Sequence, residues 1–415
     1  MAYDDPIYRP QDPDQTERFG PAARHRAAAQ GDVPEDGGPT TDVAEPALAG
    51  PGRDRVAVHL VWETVLLVAV VVLAYLLYRD HPAVVRGTAL DSLLVAGAAL
   101  GLLVLAAGLS LRASAPNLAV GPVAIASALH LAENGDRGVL PAMLPAVVAV
   151  MATGLVVAIL VVVLHVPGWA ASLAAGLGAV VFIQQRSAPV DVQGDFDPTE
   201  ASIYLFGGFV ALAVLGGVFG SIGAVRRAVG RFRPVGDPAR RAGGLAALFT
   251  GTAIVVSMLF AMTAGALLGS GGASPVAPTP GIEWTGLAMG IALLSGTSAF
   301  GRRGGVFGTI LAVVLFALFD TYADEQGWNF SPYGVAAVAL AGGLLVTRLV
   351  EFYGRPRPAV TVPAPPVAEV DDRDDRGWGT YPTERPDSWS AVLPAQPVGS
   401  RDEPWRTDRW DSTDR

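Results

Sequence analysis

Residues 56–78 read VAVHLVWETVLLVAVVVLAYLLY, and Glu63 is the one acidic residue among them. A helix rises 1.5 Å per residue, so a run of this length crosses the roughly 30 Å hydrocarbon core of a bilayer. A helix in a soluble core would show a polar face, and this one has none. The same texture returns along the chain. Apolar segments begin near Leu90, Asn117, Leu140, Trp169, Ile203, Gly243, Trp284, Val306 and Tyr333, about ten in all, and the last ends near Phe352. The segment from Asn117 is interrupted by Gly121 and Pro122. Those from Asn117, Trp169 and Trp284 are short enough to be half-helices. The expected fold is therefore all-α, a polytopic transmembrane bundle of about 8–10 segments over residues 56–354.

Composition agrees. Hydrophobic residues make up 51% of the chain and charged residues 16%, where a soluble domain carries about a quarter charged. The flanks differ. Residues 1–55 and 355–415 are rich in Pro, Asp, Gly, Ala and mixed charge. They lack the apolar pattern that would offset ordering entropy, and are expected to be disordered tails. The start, MAYDDPIYRPQDPDQ, has no basic and apolar signal-peptide pattern, so the first span is expected to act as the insertion signal.

Cysteine and lysine are both absent. That excludes disulfides, thiolate metal sites and cysteine nucleophiles. It also excludes a P-loop, which needs Gly-x-x-x-x-Gly-Lys-Ser/Thr, so any ATP hydrolysis would belong to another subunit. No catalytic or nucleic-acid-binding constellation is present. His59, His81, His130 and His165 lie near segment ends without a His-x-x-x-His pair, as interfacial side chains do. No metal or cofactor is expected, and the chain is not expected to be an enzyme.

Loop charge orients the segments, because cytoplasmic loops carry excess arginine. The loop RRAVGRFRPVGDPARR (226–241) holds six arginines. Arg302 and Arg303 follow the eighth segment, and Arg348, Arg355 and Arg357 mark the exit of the tenth. The alternate loops APVDVQGDFDPTE, GSGGASPVAPTPGIE and DTYADEQGWN are poor in arginine. Both termini are accordingly expected to be cytoplasmic; Arg79 and Arg86, in the first external loop, run against the pattern.

Three stretches carry functional meaning. In SGTSAFGRRGGVFGTILAVVLFAL (295–318), Gly296, Gly301, Gly304, Gly305 and Gly308 crowd between two apolar segments. Glycine so dense permits close helix packing and a tight turn. The stretch also resembles the second-half signature of the membrane (permease) subunits of ABC importers for monosaccharides and branched-chain amino acids, a Gly-Gly-Thr-Ser element followed by a Gly-rich turn and Gly-Thr. APNLAVGPVAIASAL, from Ala115, is similar to that family's Ile-Asp-Leu-Ser-Val-Gly-Ser element. It has Asn117, Ala119 and Pro122 where the family has an acid, a serine and a small residue. GRFRPVGDPARRAGG (230–244) resembles the cytoplasmic segment that meets the ATPase. Gly230, Arg231, Gly236, Ala239, Arg241 and Gly243 match its pattern, with Asp237 in place of asparagine.

The resemblance implies a multi-pass permease subunit in a bacterial cell membrane, importing a small polar solute of the sugar or amino acid class. Its implied partners are a cytoplasmic ATP-binding subunit, an extracytoplasmic solute-binding protein and a second permease subunit. Residues 236–243 would form a short coupling helix, with Asp237 and Pro238 at its start, Arg240 and Arg241 facing the partner, and Gly243 at its end. The same arginines also suit a loop held beside anionic lipid. A substrate pathway or helix break is expected near Asn117, Gly121, Pro122, Gly296, Thr297, Ser298, Gly304, Gly305 and Gly308, where glycine or proline interrupts corresponding segments of the two halves. A membrane scaffold of the same fold, without transport, is the alternative.

The absence of native cysteine makes the orientation testable. A cysteine replacing Arg233 should react with an impermeant maleimide only after cells are permeabilised, whereas one replacing Asp195 should react in intact cells. The reverse pattern would overturn the orientation.

Overall fold

The computed structural model describes residues 56–221, 244–270, 275–298 and 307–354. Ten α-helices follow one another within them: α1 (Val56–Asp80), α2 (Gly87–Arg112), α3 (Val120–Asn134), α4 (Val139–Val162), α5 (Gly168–Ile183), α6 (Ser202–Ser221), α7 (Gly244–Ser270), α8 (Ile282–Leu294), α9 (Gly308–Glu325) and α10 (Pro332–Gly354). The sole β-type pairing among the described residues is one antiparallel bridge between Val190 and Val276. The all-α bundle expected from the hydropathy pattern is what forms. Six helices (α1, α2, α4, α6, α7 and α10) are long and apolar enough to cross a membrane, while α5 and α8 are shorter apolar helices.

Burial separates centre from periphery. The most apolar window of α2 is 61% buried and that of α7 is 50%, against 11% for α1. Leu103, Val104, Ala106 and Ala107 of α2 share one core with Ile254, Met258 and Ala261 of α7. On α1, Leu60, Val61, Val68 and Val71 stay exposed, and so do Leu144, Val148 and Leu155 of α4. A helix that turns such residues outward is not covering them with water. It has the surface that acyl chains solvate.

Hydrogen bonds and ion pairs sort the helix ends into two groups. At one end, Asp80, which ends α1, and His81 just after it meet Tyr322, Glu325 and Gln326 around the end of α9. Ser202, opening α6, donates to Asp91 near the start of α2 at 2.7 Å. Arg186, after α5, forks onto Glu133 near the end of α3, with N–O distances of 2.7 and 2.6 Å. At the opposite end, Trp62 and Glu63 of α1 reach the end of α8 and the start of α9. The ends of α2 and α6 also meet there, Arg112 lying close to Gly220.

Two helix pairs approach backbone to backbone. Gly265 and Gly269 of α7 lie directly on the backbone at Ala124 and Ala128 of α3. Gly290 of α8 does the same against Ala339 and Leu340 of α10, and Gly343 answers it from α10. Lipid tails provide no hydrophobic drive between helices, so such dispersion contacts carry much of the association.

Two departures from the expected boundaries have a clear local cause. Gly121 and Pro122 do not interrupt a helix begun at Asn117. They stand in the first turn of α3, where proline's missing N–H has no helical partner to lose. The eighth segment, which hydropathy alone would carry from Trp284 to about Phe300, stops at Leu294 because Gly296 takes φ +88°. Its N–H donates to the Leu293 carbonyl and that of Thr297 to the Ala292 carbonyl, a Schellman closure.

Gly265→Leu should destabilise the fold by about 3 kcal/mol or more through overpacking against α3. Gly216→Leu on α6, where an added Cβ meets open space, should be tolerated. Thermal melts of the purified variants in detergent compare the two.

Candidate functional site

The two short helices α3 and α8 do not start at the bundle's ends. Ala124 lies beside Gly265 and Ala128 beside Gly269, so α3 runs parallel to the last part of α7. Val120 is then level with Ala261, about 14 Å in from the end of α7 at 1.5 Å per residue. Helix α8 begins at the same depth, because the backbones at Gly121 and Gly281 touch. From that joint α3 runs toward one end of the bundle and α8 toward the other. Two helix N-termini, each with free amides and partial positive charge, therefore meet inside the protein.

Polar side chains close this joint. The Gly121 N–H donates to Thr285 Oγ1 at 2.9 Å, and the Thr285 hydroxyl lies 3.3 Å from the Leu118 carbonyl. Ser172 of α5 accepts from the Leu118 N–H at 3.0 Å and donates toward the Pro116 carbonyl at 3.0 Å. Asn117 is 1% exposed. Its Nδ2 donates to Ser257 Oγ of α7 at 3.0 Å, its Oδ1 accepts from the Ala119 N–H at 3.0 Å, and its own N–H goes to Ser110 Oγ. Ser257 passes the chain on to the Ala106 carbonyl of α2 at 2.8 Å. Five segments are thus linked by side chains that also take up backbone groups where the helices break off.

Glu283 sits in the first turn of α8 and is 9% exposed. Its Oε1 accepts from Thr279 Oγ1 at 3.0 Å, while Oε2 is buried without a hydrogen bond. In the sequence this glutamate closes the arginine-poor stretch GSGGASPVAPTPGIE and has the look of a loop acid. The structure makes it a helical, buried carboxylate at the joint.

A second polar junction lies between the end of α8 and the start of α9. Trp62 Nε1 donates to the Leu294 carbonyl at 2.7 Å, and Glu63 Oε1 accepts from the Phe307 and Gly308 N–H groups at 3.2 and 3.1 Å. A carboxylate on α1 thereby caps the start of α9. Gly308 packs against the Ser295 carbonyl, and Thr347 of α10 lies 3.4 Å from the Thr297 carbonyl.

The expected pathway residues fall at these two junctions. Asn117, Gly121 and Pro122 belong to the joint, Gly296, Thr297 and Ser298 follow the end of α8, and Gly308 opens α9. Asn117, Thr297 and Ser298 are 1%, 1% and 3% exposed, so the polar side chains at both places are buried in this conformation. Gly304 and Gly305 lie outside the described residues. So does the whole expected coupling segment: Gly230, Arg231, Gly236, Asp237, Pro238, Ala239, Arg240, Arg241 and Gly243. Ser110, Ser172, Ser257, Thr285 and Glu283 went unnoticed in the sequence. Single Ser and Thr residues in apolar runs look alike, and only packing selects those that face a helix break. Among the described residues no group of three or more His, Asp or Glu could hold a metal.

Thr285→Val keeps the shape but leaves the Gly121 N–H without its acceptor and removes the hydroxyl from the Leu118 carbonyl. A loss of about 1–3 kcal/mol is expected. Thr263→Val on α7, whose hydroxyl bonds only its own helix at Leu259, should be near neutral. Thermal melts of the two variants decide the comparison.

Searches against family models, curated proteins and solved structures returned no match. The geometry itself describes an all-helical protein with six membrane-length apolar helices, compatible with a membrane transporter, and two half-helices meeting at a closed polar joint.

Proposed function

We propose that the chain is the permease subunit of an ABC importer, carrying a small polar solute of the sugar or amino acid class. The observation that carries this reading is the joint of α3 and α8. Paired short helices, one from each half and starting within the bundle, are the arrangement in which transporters place substrate near mid-membrane. The stretches that resemble the family fall on the same features. APNLAVGPVAIASAL supplies the turn and first turns of α3, and SGTSAFGRRGGVFGTILAVVLFAL spans from the end of α8 into α9.

In this reading the chain makes and breaks no bond. A separate cytoplasmic ATPase closes on nucleotide and pushes on residues 230–244, which lie between α6 and α7. Helix α7 bears on α2, α3 and α4, so its displacement reaches the joint directly. A second permease subunit completes the pathway, and an extracytoplasmic solute-binding protein delivers cargo at the far end. The arginine-rich loops and both termini face the cytoplasm. The closed joint is then one state of an alternating cycle, opened when α7 shifts along the small-residue seam it shares with α3.

Ala239→Trp should abolish recovery of an ATPase subunit in pull-downs at equal expression, by overfilling the partner's groove. Asp237→Ala should weaken recovery by loss of a cap worth about 1 kcal/mol, and Arg226→Gln should change it little. Equal recovery with Ala239→Trp and the unaltered chain, or no ATPase with either, favours a membrane scaffold.

A further inference from the structure

We propose that Glu283 is the carboxylate of a binding site for a monovalent cation at the joint of α3 and α8. A carboxylate this buried and surrounded by membrane-length helices needs a partner, because leaving one ion alone costs several kcal/mol. Its Oε1 has Thr279, but Oε2 has none. The free amides at the starts of α3 and α8 do not reach Oε2 either, so the backbone does not discharge it. No ion pair to Glu283 occurs among the described residues. The titratable neighbour its charge reaches is the exposed Tyr333 phenol of α10, a hydrogen-bonding neighbour of the carboxylate that brings no positive charge.

The missing partner is thus a positive charge supplied from outside the described chain. One carboxylate balances one charge. A divalent ion would keep a surplus, and its usual sites gather several carboxylate and carbonyl oxygens. The neutral oxygens of Thr279 and Tyr333 beside a single carboxylate suit sodium or the ammonium head of a small solute. An unpaired intramembrane acid is also the group on which ion and substrate pathways are commonly built. The site belongs to this chain alone and does not depend on an ATPase partner.

The purified full chain in lipid nanodiscs would be melted in sodium chloride, methylammonium chloride and choline chloride at equal ionic strength. Near saturation, sodium or methylammonium should raise Tm by about 3–6 °C over the bulkier choline. The shift should vanish in Glu283→Gln. A response to sodium alone identifies an inorganic ion; a response to methylammonium alone identifies a solute ammonium. Equal melting of the unaltered chain in all three salts overturns the proposal, as does a shift that survives in Glu283→Gln. Should that variant fail to fold, dicyclohexylcarbodiimide labelling of the unaltered chain serves in its place. Glu283 should be modified in choline and at least tenfold more slowly in the stabilising salt. No modification, or the same rate in every salt, overturns it.

Discussion

Inside a bilayer a backbone N–H or carbonyl left without a partner has no water to turn to, and each such group costs several kcal/mol. A through-going helix meets this demand by itself. A helix that starts at mid-depth does not, and this protein has two that start against each other. The joint at Gly121 and Gly281 can exist only because Thr285, Ser172, Ser110, Asn117 and Ser257 stand where the broken backbone needs them. The arrangement of the surrounding helices follows. α5 must bring Ser172 alongside the α2–α3 turn, and α7 must present Ser257 to Asn117 while its glycines press on α3.

Close approach is the second half of the same constraint. Hydrogen bonds of about 3 Å between side chains of neighbouring helices require backbones nearly in contact. Gly265 and Gly269 set the α7–α3 spacing, and Gly290 and Gly343 set that of α8 and α10. The short helices are thereby clamped between long ones, while α1, α4 and α6 keep apolar faces outward for lipid. The device also has an obvious mechanical use. A seam of small residues opposes sliding with little more than dispersion, so α3 and α8 can shift against their neighbours without unpacking large side chains.

Each polar junction holds one carboxylate, and the two are used differently. Between the end of α8 and the start of α9, Oε1 of Glu63 accepts two backbone amides. At the joint the carboxylate of Glu283 has one oxygen employed and one idle. Both lie beside helix N-termini. A carboxylate that caps a helix holds structure together, whereas one with a buried oxygen left without a hydrogen bond is available to bind.

Much of the architecture was legible from residue order alone. A run of some 20 apolar residues has one stable form in a bilayer, so the number of helices and most of their limits followed from hydropathy. Glycine and proline marked where α3 begins and where α8 ends. They could not say which of the two they marked, since proline opens a helix as readily as it stops one. The joint itself was not legible. Asn117 and Gly121 stood out locally, but Ser257 and Thr285 are 140 and 164 residues away from them. Glu283 looked like a loop acid because it follows a Pro- and Gly-rich stretch. Hydropathy reads each segment against the membrane, one at a time. Which polar side chain ends up facing which broken helix depends on depth and rotation, and those are set only when the helices pack.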